Sequence, residues 1–266
     1  MTTHERDPLT MDDLFSLQGK NALVLGAGGM GTAIANGLLR YGAQLELAER
    51  DDEALWRAAD QLAAYGHGTI HTHTVDATDE DSVKALVAAA VASMGRVDIL
   101  VNALGYNFKA HATEFPMDEW DRLFSVNVKA VMLACKLFGA HMIEQGGGTI
   151  INLSSVRDDR GALGGNAGYC ATKGAVKMIT KQLGVELAPY NVKVNALGPI
   201  ITVTPMTAER IKQDSSRYER MLLNVPMGRM ANVEDLVGPA VFLASAASDF
   251  ITGTVLYVDG GMMAYA

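Results

Sequence analysis

The sequence contains only two cysteines, Cys135 and Cys170, and few cationic side chains relative to anionic ones. Two cysteines cannot form a disulfide framework, and because they lack metal-ligand spacing they favour a reducing, cytoplasmic location. The 22 lysines and arginines stand against 30 aspartates and glutamates, which gives a formal net charge of -8. Nucleic-acid surfaces need clustered basic residues, so we expect no nucleic-acid partner.

The sequence also lacks an export signal and a convincing membrane segment. Residues 1–18 mix charged positions with few apolar ones, so we expect a loosely held N-terminal arm rather than a signal peptide. The uncharged stretch 21–39 is long enough to raise the question of a membrane span, but its five glycines and two asparagines make a poor lipid-facing helix. We therefore expect no membrane partner.

Apolar runs of strand length alternate with longer segments of helical period from residue 20 onward. This alternation predicts an α/β fold with a single Rossmann-type, doubly wound parallel sheet of about seven strands and helices on both faces. The predicted strands lie near 20–25, 43–48, 69–75, 97–102, 148–154, 191–197 and 254–258. The predicted helices lie near 30–41, 52–65, 79–94, 118–144, 168–188 and 232–246.

No internal repeat, low-complexity tract or linker interrupts this pattern, so residues 19–266 are expected to form one domain. The stretch 198–230 contains three prolines and a charged middle, and the pattern predicts no regular structure in it. Because long irregular loops in compact domains are usually functional, we interpret this stretch as a substrate lid.

The stretch GAGGMG begins at Gly26, between a predicted strand and a predicted helix. Alone it is weak evidence, because ordinary tight turns also use glycine. In the first strand–helix unit, Gly26 permits the turn, Gly28 lets the backbone approach a pyrophosphate, and Gly31 lets helix and strand pack closely. The helix N-terminus favours negative charge. The sequence therefore predicts a dinucleotide site that also includes Gly29 and Met30.

Glu49 ends the second predicted strand, 18 residues beyond Gly31. An acidic side chain there can bond the ribose hydroxyls of a dinucleotide and would repel a 2′-phosphate, which favours NAD over NADP. Arg50 follows directly and softens this preference. In the alternative interpretation, Glu49 and Arg50 are a solvated strand end without a ligand.

Tyr169 and Lys173 lie four residues apart, on one face of a predicted helix. A free tyrosine has a pKa near ~10, but a lysine ammonium and an oxidised nicotinamide close by would favour the phenolate. Tyr169 can then accept a hydroxyl proton while hydride leaves the carbinol carbon. Ser155, at the end of a predicted strand, can hydrogen-bond the substrate oxygen. Asn127 lies inside a predicted amphipathic helix, where asparagine is an unfavourable residue, so we interpret it as a candidate functional residue.

Together with the closing VDGG at 258–261, these residues resemble the short-chain dehydrogenase/reductase family over about residues 14–263. The resemblance implies that Tyr169 is the catalytic acid/base and that Ser155 positions the substrate oxygen. It also implies that Lys173 lowers the tyrosine pKa and binds ribose, and that Asn127 supports a proton relay through water. The sequence thus predicts an NAD-dependent oxidoreductase.

Within the family, MDDLFSLQGK, TEFPMDEW, VELAPYNVKVN and ASDFITGTVLYVDGG look similar to the gluconate 5-dehydrogenase branch, whose members oxidise sugar acids and related polyols. The resemblance implies a homotetramer. It also implies cofactor contacts from six further residues, namely Asp76, Ala77, Asn102, Gly105, Pro199 and Thr204. The sequence departs from the family pattern in a shorter glycine loop and at Ala103 and Ile200, where an asparagine and a glycine are usual.

Two basic loops are expected at the carboxyl ends of strands, where ligands bind in an open α/β sheet. One carries Arg157 and Arg160, and the other carries Lys109 and His111, with Asn107 beside them. Positive charge there, on an acidic protein, favours an anionic substrate. The alternative is that Asp158 and Asp159 pair with the two arginines and leave a neutral, solvated loop.

His71 and His73 alternate on one predicted strand and would face the same side. No cysteine or acidic residue stands at ligand spacing beside them, so we expect no metal site.

Three functions follow as hypotheses. The first is an NAD-dependent dehydrogenase that acts on the hydroxyl of an anionic sugar, such as an aldonate or a sulfonated or phosphorylated sugar. The second is a ketoreductase for an uncharged or carrier-bound ketone, and the third is a non-catalytic NAD-binding sensor. The intact set of Asn127, Ser155, Tyr169 and Lys173 disfavours the sensor.

Overall fold

The computed structural model of the chain describes residues 13–67, 70–213 and 215–265. Its strands are β1 Asn21–Leu25, β2 Gln44–Glu49, β3 His71–Thr74, β4 Ile99–Asn102, β5 Gly148–Leu153, β6 Val192–Pro199, β7 Thr202–Val203, β8 Ala231–Asn232 and β9 Val255–Val258. Its α-helices are α1 Gly29–Arg40, α2 Asp52–Leu62, α3 Glu80–Met94, α4 Met117–Phe124, α5 Ala130–Glu144, α6 Ala167–Glu186, α7 Pro205–Gln213, α8 Ser215–Leu222 and α9 Val237–Ala244.

The described residues form a seven-stranded sheet in the order β3-β2-β1-β4-β5-β6-β9, with a small β7-β8 pair beside it. Every pairing in the large sheet is parallel. The strand order reverses between β1 and β4, and this switch point is where open α/β sheets bind ligands. The predicted fold class is confirmed.

Two hydrophobic layers cover the sheet. One contains apolar residues of α1, α2 and α9, and the other contains those of α3, α5 and α6. The strands β1 and β4 are buried along their whole length. Continuous burial of this kind is typical of parallel strands covered on both faces.

Three boundaries differ from the sequence-based expectation. Residues 1–12 of the predicted arm lie outside the described residues, but Leu17 is fully buried in the core and its N–H donates to the Tyr41 carbonyl oxygen over 2.8 Å. The expected irregular lid at 198–230 instead begins with the end of β6 and carries α7 and α8. The predicted last helix, near 232–246, is shorter because its first turn is a 3-10 turn.

The predicted helix near 118–144 is confirmed, but it is interrupted. A π-helical segment, Ser125–Lys129, lies between α4 and α5 and contains the buried Asn127. Such segments are rare and are frequent at functional sites. The whole stretch Met117–Glu144 is long and apolar enough to cross a membrane by composition, yet half of its most apolar window is buried inside the protein. It is a covering layer of the sheet.

Candidate active site

The glycine loop after β1 has little room for side chains at two of its positions. Gly26 has φ 109°, and a Cβ there would lie 2.7 Å from the Ala103 carbonyl oxygen. A Cβ at Gly31 would collide with the Gly26 carbonyl oxygen. A Cβ at Gly28 would meet nothing within 4 Å, so this backbone faces open space. Gly26 and Gly31 therefore build the turn, while Gly28 leaves room for a ligand.

Helix α1 begins in this loop without a side-chain cap. Its N-cap is Gly28, and its first turn contains no acidic residue. By contrast, Asp51 caps α2 through the Ala54 N–H, and Asp79 caps α3 through the Ser82 N–H. The uncapped N–H groups and positive dipole end of α1 suit the pyrophosphate of a dinucleotide. Gly29 opens the helix, and Met30 packs partly against the core.

Glu49 connects the end of β2 to the glycine loop. Its Oε2 accepts from the Ala27 N–H over 3.1 Å, and its Oε1 accepts from the Arg50 N–H over 2.7 Å. The carboxylate is half-buried, whereas Arg50 is exposed. The acidic group is therefore fixed beside the glycine loop, and its contact with a ribose stays a prediction.

The residues predicted to flank the adenine end of a cofactor lie after β3. The Asp76 carboxylate accepts from the Thr78 hydroxyl over 2.7 Å and from the Thr78 N–H over 2.9 Å, and these bonds hold the Asp76 pKa below its usual value. Ala77 is buried in the core layer of α3. A cofactor contact at Ala77 would thus come from its backbone.

Asn102 does not present its side chain to a cofactor. The side chain is fully buried, and its Nδ2 donates to Asn152 Oδ1 over 2.8 Å, while Asn152 donates to Thr180. Asn102 Oδ1 is buried without a hydrogen-bond partner. The amide therefore joins β4 to β5, and only the Asn102 backbone remains for a cofactor. Gly105, a few residues on, is exposed.

Three predicted catalytic side chains meet at the carboxyl end of β5 and the start of α6. Tyr169 hydrogen-bonds Ser155, and Lys173 Nζ lies 5.7 Å from the centre of the Tyr169 ring. Lys173 Nζ also donates to the Leu153 carbonyl oxygen over 2.7 Å. The four-residue spacing on α6 places the tyrosine and lysine on one face, as predicted.

Burial dominates the protonation of these groups. It raises the pKa of Tyr169 to about 12, against the opposing effects of the Ser155 hydrogen bond and the Arg157 charge. Burial also lowers the pKa of Lys173 to about 8. A lysine with that pKa still carries its charge at neutral pH, so the predicted effect of Lys173 on the tyrosine pKa stays a prediction. The Arg157 charge is a second cation that acts on the phenol.

Asn127 holds the loop after β4 against α6. Its Oδ1 accepts from the Tyr106 N–H over 2.7 Å, and its Nδ2 donates to the Tyr106 carbonyl oxygen and to Thr172 Oγ1 over 2.8 and 3.0 Å. Both amide donors are used. The predicted proton relay through water stays a prediction, and the side chain serves as a clamp.

Comparison with known proteins agrees with this geometry. A family model described as Enoyl-(Acyl carrier protein) reductase matches residues 25–263. The gluconate 5-dehydrogenase of Gluconobacter oxydans (strain 621H) is 43% identical over 251 residues, which cover 94% of this chain and 97% of that protein. The 5-keto-D-gluconate 5-reductase of Escherichia coli (strain K12) is 38% identical over 261 residues, covering 95% and 99%.

The chain belongs to the short-chain dehydrogenase/reductase family. A solved structure of a gluconate 5-dehydrogenase from Burkholderia cenocepacia J2315, in complex with NADP and tartrate, has a TM-score of 0.89 and 34% identity, covering 97% of this chain and 100% of that one. The protein is thus an enzyme that moves hydride between a nicotinamide cofactor and a hydroxyl or keto group. The open glycine loop, with free space at Gly28, fits such a cofactor.

In this short-chain dehydrogenase/reductase, Arg157 lies beside Tyr169, the predicted catalytic acid/base. Its Nη1 donates to the Gly161 carbonyl oxygen over 2.8 Å, burial lowers its pKa, and it interacts electrostatically with Tyr169 and Cys170. Within the described residues, no carboxylate forms an ion pair with it. A half-buried guanidinium near the reacting centre is suited to an anionic group.

Asp158 and Asp159 do not neutralise the two arginines. Lys177 Nζ lies 3.0 Å from Asp159 Oδ1 and 3.7 Å from Asp158 Oδ1, so both acids form ion pairs with this lysine of α6. The alternative of a self-neutralised arginine loop is therefore wrong.

Arg160 contacts the protein backbone. Its Nη1 donates to the carbonyl oxygen of Met262, a buried residue near the C-terminus. This bond connects the loop after β5 to the C-terminal turn. The substrate contact predicted for Arg160 stays a prediction.

The second basic loop packs against the first. The Ala110 N–H donates to the Gly165 carbonyl oxygen over 3.2 Å. Lys109, His111 and Asn107 are all exposed on this loop, and His111 Nδ1 lies 2.8 Å from Thr113 Oγ1. The contact brings both loops to one mouth, as predicted for ligand-binding loops of an open sheet.

Pro199 and Thr204 mark the far side of the site. The Ser155 hydroxyl donates to the Pro199 carbonyl oxygen over 3.4 Å, which connects β5 to the end of β6. Thr204 Oγ1 accepts from the Thr207 N–H over 3.2 Å and so caps the start of α7. A contact from Thr204 to a nicotinamide stays a prediction.

Sequence reasoning missed one part of the site. Lys177 and Tyr257 surround Asp158, with Tyr257 OH donating to Asp158 Oδ1 over 2.7 Å. Lys177 lies one turn beyond Lys173 on α6, so helical spacing alone predicts that it shares the face of Lys173. No local pattern predicts the contact with Tyr257, because β9 is distant along the sequence.

The described residues contain no group of three or more metal-ligating side chains arranged to hold a metal ion. His71 is exposed at the start of β3, whereas His73 Nε2 lies 2.6 Å from Glu46 Oε2. The two histidines therefore do not form a common site.

Proposed function

We propose that the enzyme is an NAD-dependent dehydrogenase that oxidises a hydroxyl of an anionic sugar, with a sugar acid as the first candidate. The observation that carries this proposal is Arg157, a half-buried cation without a carboxylate partner among the described residues, beside the tyrosine that exchanges the proton. The relatives named for gluconate and 5-ketogluconate support the same substrate class.

Each side chain has one task in the reaction. Ser155 bonds the substrate oxygen, and Tyr169 accepts the hydroxyl proton as the carbon loses hydride. The oxidised nicotinamide supplies the hydride acceptor. Lys173, in its ammonium form, stabilises the phenolate and orients the ribose, and Arg157 holds the anionic end of the sugar. Release of the proton from Tyr169 to solvent completes the step.

The proposed cofactor is NAD rather than NADP. The Glu49 carboxylate is fixed by the Ala27 and Arg50 N–H groups, so it cannot easily turn away from a 2′-phosphate. Charge repulsion would then weaken NADP binding. The Burkholderia neighbour holds NADP, so cofactor choice has to be measured for this chain.

A homotetramer in the cytoplasm completes the proposal. An apolar groove on α4, α5 and α6 is lined by Phe124, Val128, Met132 and Ile179, which supports burial against another subunit. The two cysteines are unpaired, as in a reducing compartment.

The direct test is a screen for NADH formation with neutral sugars, aldonates, uronates, sugar phosphates and sulfonated sugars. We expect turnover with one anionic class and much slower turnover with matched neutral polyols. If only neutral compounds react, the role of Arg157 is wrong and the ketoreductase alternative gains support. Tight NAD binding without turnover across the panel would favour the non-catalytic sensor.

A further inference from the structure

A buried acid lies behind the catalytic lysine. The Asp158 side chain is fully buried, its Oδ2 accepts from the Ser154 hydroxyl over 2.7 Å, and its Oδ1 accepts from Tyr257 OH over 2.7 Å. Because both oxygens accept hydrogen bonds from hydroxyl groups, the group is arranged as a carboxylate. Burying a charge in this way is costly unless it is compensated.

The nearest cation compensates Asp158 only in part. Lys177 Nζ is 3.7 Å from Asp158 Oδ1 but 3.0 Å from Asp159 Oδ1, and it also donates to Tyr257 OH over 3.2 Å. The lysine therefore divides its charge between two acids. Although burial opposes it, these partners raise the Lys177 pKa above its usual value, so Lys177 stays charged.

The same acid adjoins Lys173. Ser154 Oγ, which donates to Asp158, lies 3.4 Å from the Lys173 carbonyl oxygen. Within the described part of the chain, Lys173 Nζ hydrogen-bonds only the Leu153 carbonyl oxygen, and Lys173 is 3% exposed. Burial lowers the Lys173 pKa, and the Asp158 charge is the effect that opposes it.

We propose that Asp158 is a positioning residue whose buried carboxylate keeps Lys173 in its ammonium form. Lys177 neutralises part of the Asp158 charge and so weakens its effect on Lys173. Without the acid, a lysine in this apolar setting would lose its proton near neutral pH and could no longer stabilise the Tyr169 phenolate. The inference rests on the proposed hydride-transfer reaction for its consequence, but the protonation of Lys173 can be measured without substrate.

The titratable groups around Asp158, Lys173 and Lys177 come from three elements. Tyr169 and Lys177 lie one turn from Lys173 on either side along α6, Asp158 and Asp159 come from the loop after β5, and Tyr257 comes from β9. Of these, Asp158 is the fully buried acid, whereas the Asp159 side chain is 60% exposed. Solvent therefore screens Asp159 far more than Asp158.

The experiment uses two substitutions that change charge in opposite directions. In Asp158→Asn the negative charge is lost, so the midpoint of Lys173 titration should fall by about one pH unit. In Lys177→Met the compensating cation is lost, so the midpoint should rise. Asp159→Asn is the matched control and should move it much less. The readout is the pH titration of the lysine Cε NMR signals in selectively labelled enzyme without cofactor, with Lys173 assigned from Lys173→Arg.

In the pH profile of kcat/KM for NADH formation, the midpoint of the alkaline limb should fall in Asp158→Asn and rise in Lys177→Met. Mere structural damage would lower activity at every pH and could not move the limb both ways. Equal Lys173 midpoints in wild type, Asp158→Asn and Lys177→Met would overturn the inference. If Asp158→Asn does not fold, an unchanged midpoint in Lys177→Met overturns it alone. Shifted midpoints in an enzyme that oxidises no anionic sugar would leave this inference standing and refute the proposed function.

Discussion

Ala110 and Gly165 join the two loops that form the mouth of the active site. The Ala110 N–H donates to the Gly165 carbonyl oxygen over 3.2 Å, and a Cβ at Gly165 would lie 2.5 Å from the Ala110 carbonyl oxygen. Gly165 also has φ 79°, which an L side chain rarely adopts. The loop that carries Lys109 can therefore approach the loop that carries Arg157 only because glycine stands at this position.

Substitution of Gly165 tests this contact. Gly165→Ala should destabilise the enzyme by about 2 kcal/mol, because backbone strain and a steric clash act together. It should also raise the KM for the anionic substrate. Gly161→Ala is the control, since a Cβ there meets nothing within 4 Å. Thermal unfolding and steady-state kinetics measure both effects, and equal behaviour of the two variants would contradict the assigned contact.

Tyr169→Phe should reduce kcat by about a thousandfold, because it removes the group that accepts the proton. The affinity for NADH should remain nearly unchanged, since the substitution removes only the phenolic oxygen and keeps the ring. Tyr190→Phe, at an exposed tyrosine, is the control. Calorimetric binding of NADH and initial rates separate the two effects, and normal turnover in Tyr169→Phe would remove this residue from the mechanism.

Arg157→Ala should raise the KM for an anionic sugar by about tenfold to a hundredfold, since a charged hydrogen bond contributes about 1.5 to 3 kcal/mol. The KM for a neutral polyol should scarcely change. Arg40→Ala removes an exposed arginine from α1 and serves as the control. Equal effects on charged and neutral substrates would show that Arg157 supports the loop and does not recognise the anion.

Glu49→Lys should increase the ratio of kcat/KM for NADP to that for NAD by about tenfold or more, because repulsion of a 2′-phosphate becomes attraction. Glu53→Lys makes the same charge change at a largely exposed site on α2 and controls for net charge. Initial rates with both cofactors provide the measurement. An unchanged ratio would mean that another residue selects the cofactor.

The glycine loop allows folding and cofactor binding to be separated. Gly28→Ala should leave the melting temperature unchanged, since a Cβ there meets open space, but should weaken NAD binding because the backbone can no longer approach the pyrophosphate. Gly31→Ala should destabilise the fold itself, because its Cβ collides with the Gly26 carbonyl oxygen. If Gly28→Ala binds NAD normally, the pyrophosphate does not lie against Gly28.

Local patterns predicted the sheet correctly, and helical spacing predicted which candidate site residues share a face. Continuous apolar runs defined strands such as β1 and β4, and the spacing of Tyr169 and Lys173 placed both on one face of α6. The predicted lid was less predictable, because α7 begins with a proline and carries charged residues, which local rules assign to irregular structure. The burial of Leu17, within the predicted loose arm, was also not predictable from local sequence. Its N–H hydrogen-bonds the carbonyl oxygen of residue 41, which is distant along the chain.

The sequence by itself determined the parallel sheet, the glycine turn and the shared helix face of Tyr169 and Lys173, because each depends on spacing within one strand, turn or helix. Only the tertiary structure decided which charges meet. In the folded chain, Asp158 contacts Lys177 and Tyr257. Arg157 lies beside Tyr169, and Arg160 donates to the Met262 carbonyl oxygen. Those partners come from distant strands and loops, and both Coulomb energy and burial depend on distance in space, which chain order does not contain.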